Sequence, residues 1–251
     1  MITYGPKELR RLLLARVSAT AHSEIRRDYI QDKYVIIAPP RRKRPHALPR
    51  PSAELPPEPC VFCPRAVNRR KDILLARPSR KQWALAVIPN KYPAVSMKYP
   101  RAYGVQEVVI ETPDSRAQLE EFSTAHIAEL LDVYAERTRA ISKNRKIEYI
   151  LIFKNSGGRA GASLQHSHSQ IFATAFVPPH LSDKSRQARV YTRAFGSCVY
   201  CDVLKIEIRG PRFVHRDGGV VAFTPYASMH NYEIWILPMR HIDNITDLTG
   251  P

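Results

Sequence analysis

Residues 155–170 read Asn-Ser-Gly-Gly-Arg-Ala-Gly-Ala-Ser-Leu-Gln-His-Ser-His-Ser-Gln, and inside them Gly161, Ser163, His166, His168 and Gln170 form the pattern Gly-x-Ser-x-x-His-x-His-x-Gln. The stretch lies between two segments that read as strands, 147–153 (Ile-Glu-Tyr-Ile-Leu-Ile-Phe) and the residues after Gln170. Alternate side chains of an extended segment face the same way, so His166, His168 and Gln170 share one side. The glycines upstream supply a turn whose backbone N–H groups can come close to phosphate oxygens. Imidazole is nucleophilic near neutral pH and is an adequate leaving group, so a histidine placed here can take up a phosphoryl or nucleotidyl group covalently. The stretch lacks the Gly-Lys-Ser/Thr ending of a P-loop, which excludes that reading.

Working outward, 33–38, 83–88 and 105–111 are β-branched runs bounded by turn residues and read as strands. Thr112-Pro113-Asp114-Ser115 reads as a helix start, with Leu119, Phe122, Leu130, Tyr134 and Ile141 marking one apolar face. The four cysteines form two Cys-x-x-Cys pairs, Cys60/Cys63 and Cys198/Cys201, a spacing that points to metal or redox chemistry in a reduced compartment. After Cys198 the order of motifs repeats. Val220–Thr224 before Pro225 echoes Ala86–Ile88 before Pro89, and Glu233–Ile236 before Pro238 echoes Glu107–Ile110 before Pro113. The expected fold is therefore α+β: a duplicated unit of antiparallel sheets with helices packed on one side, residues 1–180 forming the first unit and 181–251 a truncated second one. The second copy should continue through a helix, a strand and a glycine/histidine segment. The sequence stops at Asp247–Pro251 instead, which reads as a natively shortened protein or a fragment.

Composition narrows the class. With 44% hydrophobic and 25% charged residues the chain is expected to be globular, and 21 prolines against 10 glycines should stiffen its loops. Thirty-nine Lys+Arg against 23 Asp+Glu give +16, which favours a polyanionic partner such as a phosphate, a nucleotide, a nucleic acid or an acidic membrane surface. No apolar run approaches the ~20 residues of a membrane span, and the N-terminus lacks the order of a secretory signal, so a cytoplasmic protein is expected.

The glycine/histidine stretch resembles the histidine-triad superfamily, and within it the galactose-1-phosphate uridylyltransferase branch. Arg41-Arg42-Lys43-Arg44-Pro45, Cys60-Val61-Phe62-Cys63-Pro64 and Pro89-Asn90-Lys91-Tyr92-Pro93-Ala94 resemble the same branch, in the same order, from about residue 25 onward. The resemblance implies ping-pong nucleotidyl transfer from UDP-glucose or UDP-galactose to a hexose-1-phosphate. His168 would be the nucleophile, and Gln170 would hydrogen-bond a non-bridging phosphate oxygen. A neutral amide there stabilises the intermediate without serving as an acid for its hydrolysis. Ser163 and Asn155 (with Gly161 in the turn) would contact the phosphates and Asn90 the nucleoside, while Arg41 and Arg44 match arginines that reach the partner's site in the family's homodimer.

The same resemblance implies zinc held by Cys60, Cys63 and His166, soft thiolates with an imidazole. Ser115 stands where the family often has a fourth ligand, a histidine. The second pair, Cys198 and Cys201, resembles that of the ADP-glucose phosphorylase-like members, with His241 as third ligand after the equivalent turn of the second repeat. His180 is the other histidine to watch, since a metal ligand follows the catalytic strand in some relatives. In the transferases, residues late in the second repeat bind the hexose and its phosphate. They lie outside these 251 residues, so nucleotidyl-histidine formation is expected to survive and sugar recognition to be altered or lost. His-Ser-His-Ser-Gln leans toward the adenylyl-transferring relatives, which makes an ADP-sugar or dinucleoside-polyphosphate phosphorylase the alternative on the same fold. From another class stands a non-catalytic nucleotide- or nucleic-acid-binding module, which would leave the nucleophile and glutamine pair unexplained.

Overall fold

The computed structural model describes residues 4–14, 24–31, 33–37, 60–157, 160 and 164–248. Arg41, Arg44, Gly161 and Ser163 lie outside the described residues. In chain order the elements are α1 (Pro6–Leu14), β1 (Glu24–Arg27), β2 (Tyr34–Ile37), α2 (Pro64–Val67), β3 (Leu75–Pro78), β4 (Trp83–Pro89), β5 (Gly104–Ile110) and α3 (Thr124–Ser142). They continue with β6 (Tyr149–Phe153), β7 (His168–Thr174), α4 (Pro179–Phe195), α5 (Val199–Glu207), β8 (Phe213–Asp217), β9 (Val220–Phe223) and β10 (Trp235–Pro238). No helix among the described residues is long and apolar enough to cross a membrane.

By packing, the chain divides into two compact units, Pro51–Val177 with Asp243–Pro251, and Met1–Arg50 with Pro178–Ile242. The division read from the repeat, 1–180 and 181–251, followed motif order alone. By contact, the unit that holds the second cysteine pair also takes the N-terminal α1, β1 and β2.

The first unit is built on an antiparallel sheet of order β3-β4-β5-β7-β6. The apolar run Leu85–Ile88 in β4 is buried on both faces, because both faces are covered. On one side α3 packs Leu130, Val133 and Ile141 against Leu85, Val87, Val109, Ile171 and Ala173. On the other, Phe62 and Val67 from the segment around the first cysteine pair meet Ala86, Ile88, Val108 and Ile110. At Gly104 a side chain is excluded: a Cβ there would overlap the Ala173 carbonyl of β7 and the Val95 side chain.

The helix expected from Thr112 starts later. Asp114 N–H donates to Thr112 Oγ1 and Arg116 N–H to Asp114 Oδ1, local side-chain turns that compete with helix at this point. A single 3₁₀ turn covers Leu119–Glu121, and α3 begins only where Ser123 Oγ accepts from His126 N–H as an N-cap. Leu119 and Phe122 thus lie outside the helix, with Phe122 edge-on to His126.

In the second unit Leu9 and Leu13 of α1, Tyr29 and Ile30, Val199, Val203 and Leu204 of α5, and Val221 and Phe223 of β9 form one core. Gly196, at φ 70°, ends α4 in the left-handed conformation that glycine adopts without strain. The strands of this unit form two antiparallel sheets, β10-β9-β8 and the two-stranded β1-β2. The duplication is visible in the architecture. Cys63 and Cys198 each precede a helix, α2 and α5, and each helix is followed by a three-strand antiparallel meander, β3-β4-β5 and β8-β9-β10.

Candidate active site

The strand β7 carries His168 and Gln170, with His166 two residues ahead of its start, and alternation holds along the strand. His168 lies on the face of the sheet that carries Phe62, with ring centroids 5.2 Å apart. Ser167 and Ser169 point the other way, toward Lys154 and Glu111 and toward Tyr134 of α3. His168 Nδ1–H donates to the His166 carbonyl at 2.8 Å. A carbonyl has no proton to give, so the hydrogen resides on Nδ1 and the lone pair on Nε2. That is the tautomer a nucleophile requires.

Two residues on, Gln170 Oε1 accepts from Gln106 Nε2–H at 2.8 Å and, at a longer 3.4 Å, from Asn90 Nδ2–H. Asn90 directly follows β4, and its Oδ1 accepts from Tyr92 N–H. Asn155 lies two residues past the end of β6, half-buried. Gln106 escaped the sequence reading, since a glutamine in a β-branched strand carries no signal until the register with β7 is known.

Behind the strand runs a polar network that the sequence did not announce. Glu111 is completely buried, and its Oε2 accepts from Lys154 Nζ at 2.5 Å and from the Ser167 hydroxyl at 2.7 Å. The Tyr134 hydroxyl donates to Glu111 Oε1 at 3.2 Å and lies 2.6 Å from Ser169 Oγ. Burial, reinforced by the Glu111 charge, pushes the Tyr134 hydroxyl well up, so it stays protonated. Glu107, also buried, holds Arg137 of α3 through two hydrogen bonds of 2.7 and 2.9 Å. Acidic residues at 107 and 111, in phase along a β-branched run, were the available clue to a buried network.

Two groups of metal-ligating side chains occur among the described residues: Cys60, Cys63 and His166, and Cys198, Cys201 and His241, the ligand atoms of each within 4.8 Å of one another. In the first, His166 Nδ1 lies 3.2 Å from Cys60 Sγ and 3.9 Å from Cys63 Sγ. Zinc bonds in a tetrahedron would set sulfur and nitrogen about 3.6 Å apart, so this donor set fits the ion. His166 Nε2–H donates to the Thr112 carbonyl at 2.7 Å, which leaves Nδ1 unprotonated and aimed at the thiols. Burial also holds its pKa below the ordinary histidine value, favouring the neutral ring a metal needs. In the second group Cys201 Sγ lies 3.1 Å from His241 Nδ1. Burial pushes the Cys201 thiol up and the neighbouring Cys198 adds to it, an arrangement that a cation between the two sulfurs would reverse. Ser115 and His180 belong to neither group; the His180 backbone carbonyl accepts from Gln31. We expect the purified chain to carry about two zinc ions, one per Cys₂His group. Cys60→Ala/Cys63→Ala should halve that content, as read by elemental mass spectrometry.

Residues 15–178 match the galactose-1-phosphate uridyl transferase family in its N-terminal domain. The chain is 32% identical over 237 residues to an ADP-glucose phosphorylase of Arabidopsis thaliana, covering 87% of this chain and 66% of that protein. It is 28% identical over 239 residues to a galactose-1-phosphate uridylyltransferase of Thermotoga maritima, covering 90% and 70%. A crystal structure of the Arabidopsis ADP-glucose phosphorylase with bound ADP-glucose superposes with a TM-score of 0.79 at 30% identity, over 90% of this chain and 71% of that one. The chain thus spans about two thirds of the length of the curated relatives it matches. With the match running through the cysteine pair, the Asn90 loop and the His168 strand, the chain belongs to the galactose-1-phosphate uridyl transferase family.

Proposed function

We propose that this chain transfers a nucleotidyl group from a nucleoside-diphosphate sugar to a phosphate-bearing acceptor through a covalent nucleotidyl-His168. The observation that carries the reading is the His168 tautomer: Nδ1–H is committed to the His166 carbonyl, leaving a lone pair on Nε2. Nε2 attacks the α-phosphorus of the donor, the bond to the bridging oxygen breaks, and sugar 1-phosphate departs with that electron pair. A phosphate oxygen of the second substrate then attacks the same phosphorus and the N–P bond breaks, regenerating neutral His168. Gln170 offers its amide hydrogens to a non-bridging oxygen as charge concentrates there. Cys60, Cys63 and His166 would hold zinc, whose contribution when bound is a structural tie between the cysteine segment and the residue two before the nucleophile.

The family supports uridylyl transfer from UDP-glucose or UDP-galactose to a hexose 1-phosphate. A second reading, adenylyl transfer from an ADP-sugar with phosphate as acceptor, is favoured by the 32% identity to an ADP-glucose phosphorylase and by His-Ser-His-Ser-Gln in the site. Intact-protein mass spectrometry after incubation with UDP-glucose and, separately, ADP-glucose decides between them. A uridylyl or an adenylyl mass increase mapped to the His168 peptide names the base; no increase with either donor overturns the reading.

A further inference from the structure

We infer that Gln106 is a positioning residue for this transfer, one that fixes which end of the Gln170 amide meets the phosphate; the inference rests on the nucleotidyl-transfer reading above. An amide side chain has two ends of nearly equal shape and opposite hydrogen-bonding sense. Only one way round serves the reaction, with Nε2 toward the phosphate oxygen. The structure contains a device that selects it.

Ala94 N–H can only donate, and it donates to Gln106 Oε1 at 2.7 Å. That commits the other end of Gln106, Nε2, which faces Gln170 at 2.8 Å. An NH₂ group has only hydrogens to offer, so the Gln170 atom it meets is the oxygen. Gln170 Nε2, with both its hydrogens, is left directed elsewhere. The Asn90 amide repeats the logic: Tyr92 N–H donates to Asn90 Oδ1, and Asn90 Nδ2 faces the same Gln170 oxygen at 3.4 Å. Two backbone N–H groups of one loop, 90–94, thus set the sense of two amides that converge on one acceptor. Asn90 N–H, donating to the Gln106 carbonyl at 3.0 Å, ties that loop to β5. The register explains why Gln106 can reach. It pairs with Phe172 while Gln170 pairs with Val108, so the two glutamines are diagonal neighbours on one face of adjacent strands. Such prior orientation means that no reorganisation is required when charge develops on the phosphate.

The test is the rate of nucleotidyl-His168 formation in single turnover with the donor that labels the wild type. Gln106→Met removes the nearer lock and leaves Asn90, so a loss of roughly 3- to 10-fold is expected, with donor KM nearly unchanged. Gln106→Glu keeps the Ala94 bond but turns an acceptor toward Gln170, which inverts its amide and presents oxygen to the phosphate. The loss should reach about 100-fold, the scale of a lost oxyanion donor. In a Gln170→Leu background the two substitutions should become equivalent, because there is no amide left to orient. Gln106→Glu no slower than Gln106→Met, or a difference between them that persists with Leu at 170, overturns the proposal. Neutron diffraction on the unliganded wild type reads the same point without activity: deuterons on the Gln170 atom turned away from Gln106 support it, and deuterons on the atom facing Gln106 refute it. Failure of the wild type to form any adduct counts against the nucleotidyl-transfer reading, and the neutron result then still decides the orientation.

Discussion

A chain carrying His168→Ala will fold, keep its metal-binding groups and form no nucleotidyl adduct, and its turnover with any donor will fall by at least about four orders of magnitude. The size follows from the proposed role. Removing the atom that forms the covalent bond closes the two-step route, and what remains is binding without chemistry. Folding should survive because the strand around the ring is held by β5 and β6 through backbone pairing that alanine retains. Thermal unfolding and zinc content should therefore stay near wild type while adduct formation vanishes. An adduct that persists in His168→Ala would assign the nucleophile elsewhere.

Lys154→Met will lower stability by about 3 kcal/mol, the low end of what breaking a buried ion pair costs when one charge is left behind, and will drop Tm by roughly 6–12 °C for a chain of this size. The Glu111 side chain is fully buried and that of Lys154 only 18% exposed. Methionine matches the lysine stem in length but offers no proton, leaving the Glu111 carboxylate with the Ser167 and Tyr134 hydroxyls alone. Glu111→Gln/Lys154→Met, which removes both charges, should recover more than half of the loss. A double variant no more stable than the single would show that the lysine acts through packing and not through its charge. Because Lys154 also reaches toward the His168 carbonyl, at 3.4 Å, the single variant should loosen the strand that presents His168.

Much of the site was legible in the sequence, and for identifiable reasons. Period two along an extended segment put His168 and Gln170 on one face before any coordinates, and β7 keeps them there. The two Cys-x-x-Cys pairs pointed to metal chemistry because two thiols at that spacing can turn back on one ion, and each pair meets a histidine, His166 and His241. The repeat of motifs after Cys198 foretold β9 and β10, two of the three strands of the second meander. The helix start was misplaced because Thr112-Pro113-Asp114-Ser115 carries genuine capping residues, which here close local turns instead. Strands β1, β3 and β8 were missed: they are four or five residues long and rich in arginine or histidine.

By itself, then, the sequence determined what alternation and local spacing encode: the shared face of His168 and Gln170, the cysteine pairs and the duplicated α+β pattern. Tertiary structure alone decided the pairing of residues far apart in the chain. Register between β5 and β7 is what brings Gln106 to Gln170, and packing of α3 and β6 behind the strand is what gathers Tyr134 and Lys154 around Glu111. A hydrogen bond between residues 64 positions apart leaves no periodic trace, because each partner is only one polar residue in its own strand until the sheet sets them side by side.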